Sequence, residues 1–226
     1  MQVSAVIPAF NEEETIAATV LALQSVSAVN EIVVVDDGSW DMTSKKAREA
    51  GAAVVSLPRN TGKAGALAAG VKQARGEILC FVDADLGPSA AEFACLIPPV
   101  VTGQADMVIA AFSPASHRGG FGLVKNLARA AIRLGGGFHS TCPLSGQRVL
   151  RREVWEKAGY GLRGFGVEVG LTISSLRHGF RVCEIPVAMT HRETGRDLAG
   201  FVHRARQFVD VARTCGYLWL KQRERS

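Results

Sequence analysis

Apolar residues fall in short unbroken runs separated by stretches of longer period. Residues 3–8, 31–35, 54–57 and 78–82 are rich in Val, Ile, Leu and Phe with little polar alternation. Between the first two runs, residues 12–23 place Ile16, Val20 and Leu23 at helical spacing, and residues 41–50 and 62–74 form the next two helical segments. Continuous apolar strands alternating with helices predict a parallel sheet covered on both faces, an α/β fold. Residues 90–101 and 106–111 extend that rhythm. After about residue 112 it changes. A loop carrying Gly119, Gly120 and Gly122 precedes a helix over 123–134, which Gly135, Gly136 and Gly137 end. A strand over 147–150, a short helix near Trp155, glycines at 159, 161, 164 and 166, a helix over 167–177, a strand over 181–187 and a long helix over 198–220 complete the chain. No repeat or linker interrupts it, so one domain over 1–226 is expected, with lobes 1–112 and 113–226.

The chain has 226 residues, 47% of them hydrophobic, which excludes intrinsic disorder and suffices for a core without disulfide or metal staples. Charge divides sharply between the lobes. Residues 1–112 hold 7 Lys/Arg against 13 Asp/Glu, a net of −6, and residues 113–226 hold 19 against 8, a net of +11. That split predicts a metal or cationic site in the first part and anion binding in the second. Cys80, Cys95, Cys142, Cys183 and Cys215 are scattered and never form a C-x-x-C pair, which argues against a disulfide framework and structural zinc. Residues 1–6 carry no basic leader, so a cytoplasmic protein is expected.

Ligands of doubly wound sheets gather beyond the carboxyl ends of the strands. Three polar clusters fall there: Pro8-Ala9-Phe10-Asn11-Glu12, Asp36-Asp37-Gly38-Ser39 and Asp83-Ala84-Asp85. One aspartate after a strand commonly caps the next helix, but three clusters at successive strand ends exceed that need. Asp83 and Asp85 lie two apart on extended chain, so both carboxylates can face one way, and hard oxygen donors suit Mg²⁺ or Mn²⁺. No G-x-G-x-x-G follows the first strand and no complete phosphate-binding P-loop is present, which disfavours dinucleotide enzymes and P-loop kinases. Asn60-Thr61-Gly62-Lys63 still offers backbone amides and an ammonium to an anion.

In order and spacing, Val6-Ile7-Pro8-Ala9-Phe10-Asn11-Glu12-Glu13, Val33-Val34-Val35-Asp36-Asp37-Gly38-Ser39, Asn60-Thr61-Gly62-Lys63 and Asp83-Ala84-Asp85 resemble a family 2 glycosyltransferase. The resemblance implies a GT-A-type fold, a nucleotide-sugar donor and a divalent metal. It implies that Pro8, Ala9, Phe10 and Glu12 line the nucleoside pocket, that Asp36 or Asp37 contacts the base, and that Lys63 lies near it. It further implies Asp83 and Ala84 at the ribose, with Asp83 shared with the metal, and Asp85 as direct metal ligand and catalytic carboxylate. Ala64 departs from the family, where glycine is common.

In the basic half, the resemblance extends to 143–148 and 164–168 as an acceptor region. It makes Ser145, Gly146, Gln147 and Arg148 candidate acceptor-phosphate contacts, and Glu168 a residue that orients the acceptor or acts as base. It also implies His191 as a metal ligand, with Arg192 and Arg196 on the diphosphate. Lys125, Arg129 and Arg133 lie four apart on one helix face, downstream of Arg118, as either a solvated face or a phosphate-docking row. The acceptor is then a polyprenyl phosphate, as in the dolichol-phosphate mannose synthase group, or a small phosphorylated molecule, as in glucosyl-3-phosphoglycerate synthases. Leu198, Phe201, Val202, Ala205, Phe208, Val209 and Ala212 form an apolar stripe flanked by Arg204, Arg206 and Arg213, fit either for a membrane surface or for the core or a homodimer partner.

Two other enzyme or binding classes compete. A sugar-phosphate nucleotidyltransferase needs a glycine-rich basic loop after the first strand, where this chain has Ala9-Phe10-Asn11-Glu12. A non-catalytic nucleotide-sugar binder would not need Asp83 and Asp85 intact. Nucleic acid is not an expected partner, because the basic residues interleave with apolar helix faces rather than with a stacking platform.

Overall fold

A computed structural model describes residues 1–112, 123–159 and 166–189. Strands and helices alternate first as β1 (Val3–Ala9), α1 (Ile16–Gln24), β2 (Glu31–Asp36), α2 (Thr43–Glu49), β3 (Ala53–Ser56), α3 (Gly62–Gln73) and β4 (Ile78–Phe81). A 3-10 segment, Gly87–Glu92, leads into two single turns, α4 (Phe93–Leu96) and α5 (Pro98–Val101), and then β5 (Met107–Phe112). The rest comprises α6 (Leu123–Gly136), β6 (Arg148–Arg151), α7 (Arg152–Ala158), α8 (Val167–Arg177) and β7 (Val182–Val187).

Two helices differ from their sequence expectation for identifiable reasons. The helix expected from residue 12 begins only at Ile16, because residues 13–15 form a turn in which Thr15 stands at φ −116°, outside the helical range. The helix expected over 90–101 breaks at Pro98, which has no amide to donate into a continuing ladder.

The seven strands run in the order β3-β2-β1-β4-β6-β5-β7. Every neighbouring pair is parallel except the two that involve β6, which lies antiparallel between β4 and β5. Successive residues of a strand feed opposite cores. Val3, Ala5, Ile7 and Ala9 join Ile16, Val20 and Leu23 of α1 on one face. Val6, Val33, Val35, Leu79 and Phe81 join Leu67 and Val71 of α3 and Leu171 of α8 on the other. Burial on both faces is why the strands show no polar alternation. A third, smaller cluster joins Ala128 and Ile132 of α6 to Val169 and Ile173 of α8. Gly135 and Gly136 permit that approach: a Cβ there would stand 2.9 Å from Ile173 and 2.6 Å from Leu176.

The chain runs from β1 outward through β2 to β3, then crosses back to place β4 on the other side of β1. Pairing of β1 with β4 ends at Val6–Phe81, whereas pairing with β2 continues to Ala9–Asp36. A crevice at the carboxyl ends of β1 and β4 follows from this topology, the place where open α/β sheets bind ligands.

Candidate active site

The loops at this sheet end are tied to one another before any ligand arrives. Asn11 adopts a left-handed conformation at φ 56°. Its amide donates to Ser39 Oγ at 2.9 Å, and its side-chain oxygen accepts the Trp40 amide at 3.1 Å. Asparagine tolerates this backbone region better than most residues. Phe10, at the end of β1, meets Trp40 edge-on at 5.2 Å between ring centroids, and both rings are exposed. Pro8 is half-buried and Ala9 buried in the same segment. Glu12 Oε2 accepts the Thr15 hydroxyl at 3.0 Å.

Asp36 and Asp37 are both buried. Asp36 Oδ1 accepts the Ser39 amide at 2.9 Å, closing the turn that follows β2. Asp37 takes three donors: the Thr61 amide and hydroxyl on Oδ1 at 2.7 and 2.8 Å, and the Gly62 amide on Oδ2 at 2.8 Å. Of the two aspartates expected at the base, Asp37 is thus turned inward. It anchors the N-terminus of α3, where a carboxylate also meets the positive end of the helix. Gly38 (φ 79°) lets that turn press on the 59–60 backbone, with space for no Cβ, since one would stand 2.9 Å from the Arg59 carbonyl carbon.

The anchor presents Lys63 from the first turn of α3. Its Nζ lies 2.6 Å from Asp83 Oδ1 and 3.0 Å from Glu168 Oε1. Burial works against the charge, but Asp83 and Glu168 more than offset it and hold the ammonium above its ordinary pKa. Gly146 lies against this pair. A Cβ on it would stand 2.2 Å from Lys63 Nζ and 2.8 Å from Asp83 Oδ2, so the cluster requires glycine here.

Several sequence expectations are corrected by these contacts. Gln147 is 1% exposed and bonds Asp83 rather than facing an acceptor phosphate. Arg148 is also 1% exposed. It points into the core, donating from Nε to Ser145 O at 3.1 Å and from Nη1 to Thr172 Oγ1 at 2.9 Å. Burial lowers its pKa to about 10, against the raising influence of Glu168 and Glu184. It cannot reach an acceptor from there. Ser145 is buried as well, its hydroxyl without a partner among the described residues. Glu168, expected to orient an acceptor or act as base, is buried and turned to Lys63. Both Asp83 oxygens already accept N–H donors, from Lys63 and Gln147, which makes it a cation-held carboxylate.

The basic row on α6 divides. Arg129 Nη2 donates to Thr141 O at 2.9 Å, Lys125 is half-buried, and Arg133 is exposed. Arg118, His191, Arg192, Arg196 and the expected C-terminal helix lie outside the described residues. Glu184 is a residue the sequence reading missed. This β7 carboxylate accepts the Ser140 hydroxyl, the Thr141 amide and hydroxyl, and the Cys142 amide. Burial pushes its pKa up, and these bonds together bring it below the usual carboxylate range. It thereby fixes the loop that leads to Ser145 and Gly146. An acidic residue inside an otherwise apolar strand was the one available signal.

Mg²⁺ is typically held by one or two carboxylates and completed by substrate phosphates rather than by an all-protein cage. The donor set fits that pattern. Asp85 lies half-buried at the β4 end, and no group of three His, Cys, Asp or Glu gathers among the described residues.

Comparison with known proteins bears on the family and the fold. Residues 4–157 match the model of "Glycosyl transferase family 2". A glucosyl-3-phosphoglycerate synthase of Mycolicibacterium paratuberculosis is 32% identical over 197 residues, 76% of this chain and 59% of the relative. This chain therefore spans about three fifths of that relative's length. A polyprenol monophosphomannose synthase of Mycolicibacterium smegmatis is 31% identical over 216 residues, 84% of this chain and 78% of the relative. Among solved structures, glucosyl-3-phosphoglycerate synthase of Mycobacterium tuberculosis with Mn²⁺, uridine diphosphate and glucosyl-3-phosphoglycerate superimposes with a TM-score of 0.78. It is 30% identical, with 95% of this chain and 80% of that one covered.

Proposed function

The chain belongs to glycosyl transferase family 2, and from that premise we propose that it moves a hexose from a UDP- or GDP-sugar to a phosphorylated acceptor. The observation that carries this reading is the Lys63–Asp83–Glu168 cluster, closed by Gly146, at the crevice between β1 and β4. Pro8, Ala9 and Phe10 form the nucleoside wall, with Glu12 and Asp36 at its edge. Asp83 meets the ribose, and Asp85 holds Mg²⁺ or Mn²⁺. A divalent cation held by Asp85 would supply Lewis-acid stabilisation of the departing diphosphate. Lys63, paired with both Asp83 and Glu168, holds Asp83 in place for the donor. Residues 1–112 then supply most of the donor side and residues 113–226 the acceptor side, with Arg192, Arg196 and His191 contributed from the second half to the donor diphosphate.

The acceptor we favour is a polyprenyl phosphate. A phosphate with second pKa about 6 is already anionic near neutral pH and attacks without a strong base. That agrees with Glu168 being turned to Lys63 rather than open to solvent. The mannose synthase relative, matched over 78% of its length, supports the same choice. No helix among the described residues is long and apolar enough to cross a membrane. Lipid contact would fall to the apolar stripe of residues 198–212, which serves a peripheral cytoplasmic membrane contact or a homodimer. The second reading, transfer to a small acceptor such as 3-phosphoglycerate, draws on the fit to the M. tuberculosis synthase structure.

Transfer assays with UDP- and GDP-sugars, offered with polyprenyl phosphate and with 3-phosphoglycerate, test this. Product with the lipid acceptor is expected, and anomeric NMR then reads inversion or retention. Product with 3-phosphoglycerate alone selects the second reading. No metal-dependent transfer to either acceptor overturns both.

A further inference from the structure

Gln147 sits immediately before β6, 64 positions along the chain from Asp83, yet it meets that residue twice. Its Oε1 accepts the Asp83 backbone N–H at 2.9 Å, and its Nε2 donates to Asp83 Oδ2 at 2.5 Å. With Lys63 on the other oxygen at 2.6 Å, the backbone and both carboxylate oxygens of Asp83 are fixed. The neighbouring Gly146 lets the carboxylate sit this close to the 146 backbone, since a Cβ there would stand 2.8 Å from Asp83 Oδ2. Gln147 is 1% exposed, so water does not compete for these bonds.

The two contacts demand one acceptor and one donor on a single planar group, which is a primary amide. A carboxylate of the same size would set oxygen against oxygen at Asp83 Oδ2, and an isosteric apolar side chain would supply neither bond. The antiparallel insertion of β6 beside β4 brings the amide to this place. We infer that Gln147 is a positioning residue for the sugar-nucleotide donor, holding Asp83 in the one orientation that presents it to the ribose. This rests on the donor-site reading above and assigns Gln147 to the donor rather than to the acceptor phosphate.

The two assignments make opposite kinetic predictions. Full-length Gln147→Met and Gln147→Glu proteins are checked for folding by circular dichroism. They are then titrated calorimetrically with UDP and Mn²⁺, and donor and acceptor KM are measured separately. Loss of a partner that orients a binding group typically weakens affinity about 10–100-fold. For Gln147→Met, the expected result is a UDP affinity about tenfold lower with acceptor KM within about twofold of wild type. Gln147→Glu should lose more than Gln147→Met. The Gln147→Met loss should shrink in an Asp83→Ala background, because the residues act as one unit.

A raised acceptor KM with unchanged UDP affinity overturns the inference. So does wild-type UDP affinity in both variants, or loss of the fold in both, which would make Gln147 merely structural. Wild-type protein that binds no UDP with Mn²⁺ refutes the donor-site reading itself. Wild-type binding with unaffected Gln147 variants refutes the positioning role alone.

Discussion

Two acidic pairs end two neighbouring regions of this sheet, and in sequence they look alike. Asp36-Asp37 closes β2 and Asp83-Ala84-Asp85 follows β4, each after a run of apolar residues. Their partners separate them. Asp37 is 3% exposed and binds the amides and hydroxyl of the 61–62 turn, so its charge is absorbed by the scaffold. Asp83 binds an ammonium and a side-chain amide at the mouth of a crevice, and its side chain keeps 30% exposure. A carboxylate held by backbone amides builds a loop. One held by side chains and still partly exposed at a topological switch point is available to a ligand.

The comparison breaks most visibly at Asp85. We expect Asp85→Ala to lower turnover about 10³-fold, the scale of removing a major electrostatic contact, with the melting temperature nearly unchanged. Gly146→Ala comes next. Its methyl group displaces Lys63 from Asp83, and a misplacement of that order reduces kcat/KM about 10²-fold while leaving far-UV circular dichroism intact. At the other pair the loss should fall on stability. Asp37→Ala strands the Thr61 amide and hydroxyl and leaves the Gly62 amide only Asn60 Oδ1, and chemical denaturation should show a loss of about 2 kcal/mol. Weakened catalysis without that stability loss would erase the distinction between the two pairs.

The smallest effect lies at Glu184, whose hydrogen bonds hold its pKa below that of the unfolded chain. A lowered pKa contributes stability above the unfolded value, about 4.3, that is lost as pH falls through the folded value. Glu184→Gln should therefore be less stable than wild type by about 1 kcal/mol near pH 7. That gap should close on acidification, as read by urea denaturation across pH. A gap independent of pH would contradict the role given to the Glu184 carboxylate.

The alternating elements of residues 3–82 were legible because both faces of β1, β2 and β4 are buried, and unbroken apolar runs report that directly. The three polar clusters were legible because they sit where those runs stop. The antiparallel insertion of β6 was not, since four residues, Arg148–Arg151, carry no mark of which neighbour they join. That insertion decides the fate of the segment before it. It turns Gln147 toward Asp83 and drives Arg148 into the core, whereas linear reading sees two polar residues after a glycine and assigns both to a phosphate. Glu184 was hidden for a related reason: its partners at 140–142 lie more than forty positions away.

The central claim is that the β1–β4 crevice binds a nucleotide sugar through a divalent cation held at Asp85. Calorimetric titration of UDP into the full chain, with and without Mn²⁺ and repeated on Asp85→Ala, tests it most directly. The account predicts binding that requires Mn²⁺ and disappears in Asp85→Ala while the fold persists. Binding that ignores both the metal and Asp85, or none with Mn²⁺ present, would contradict it.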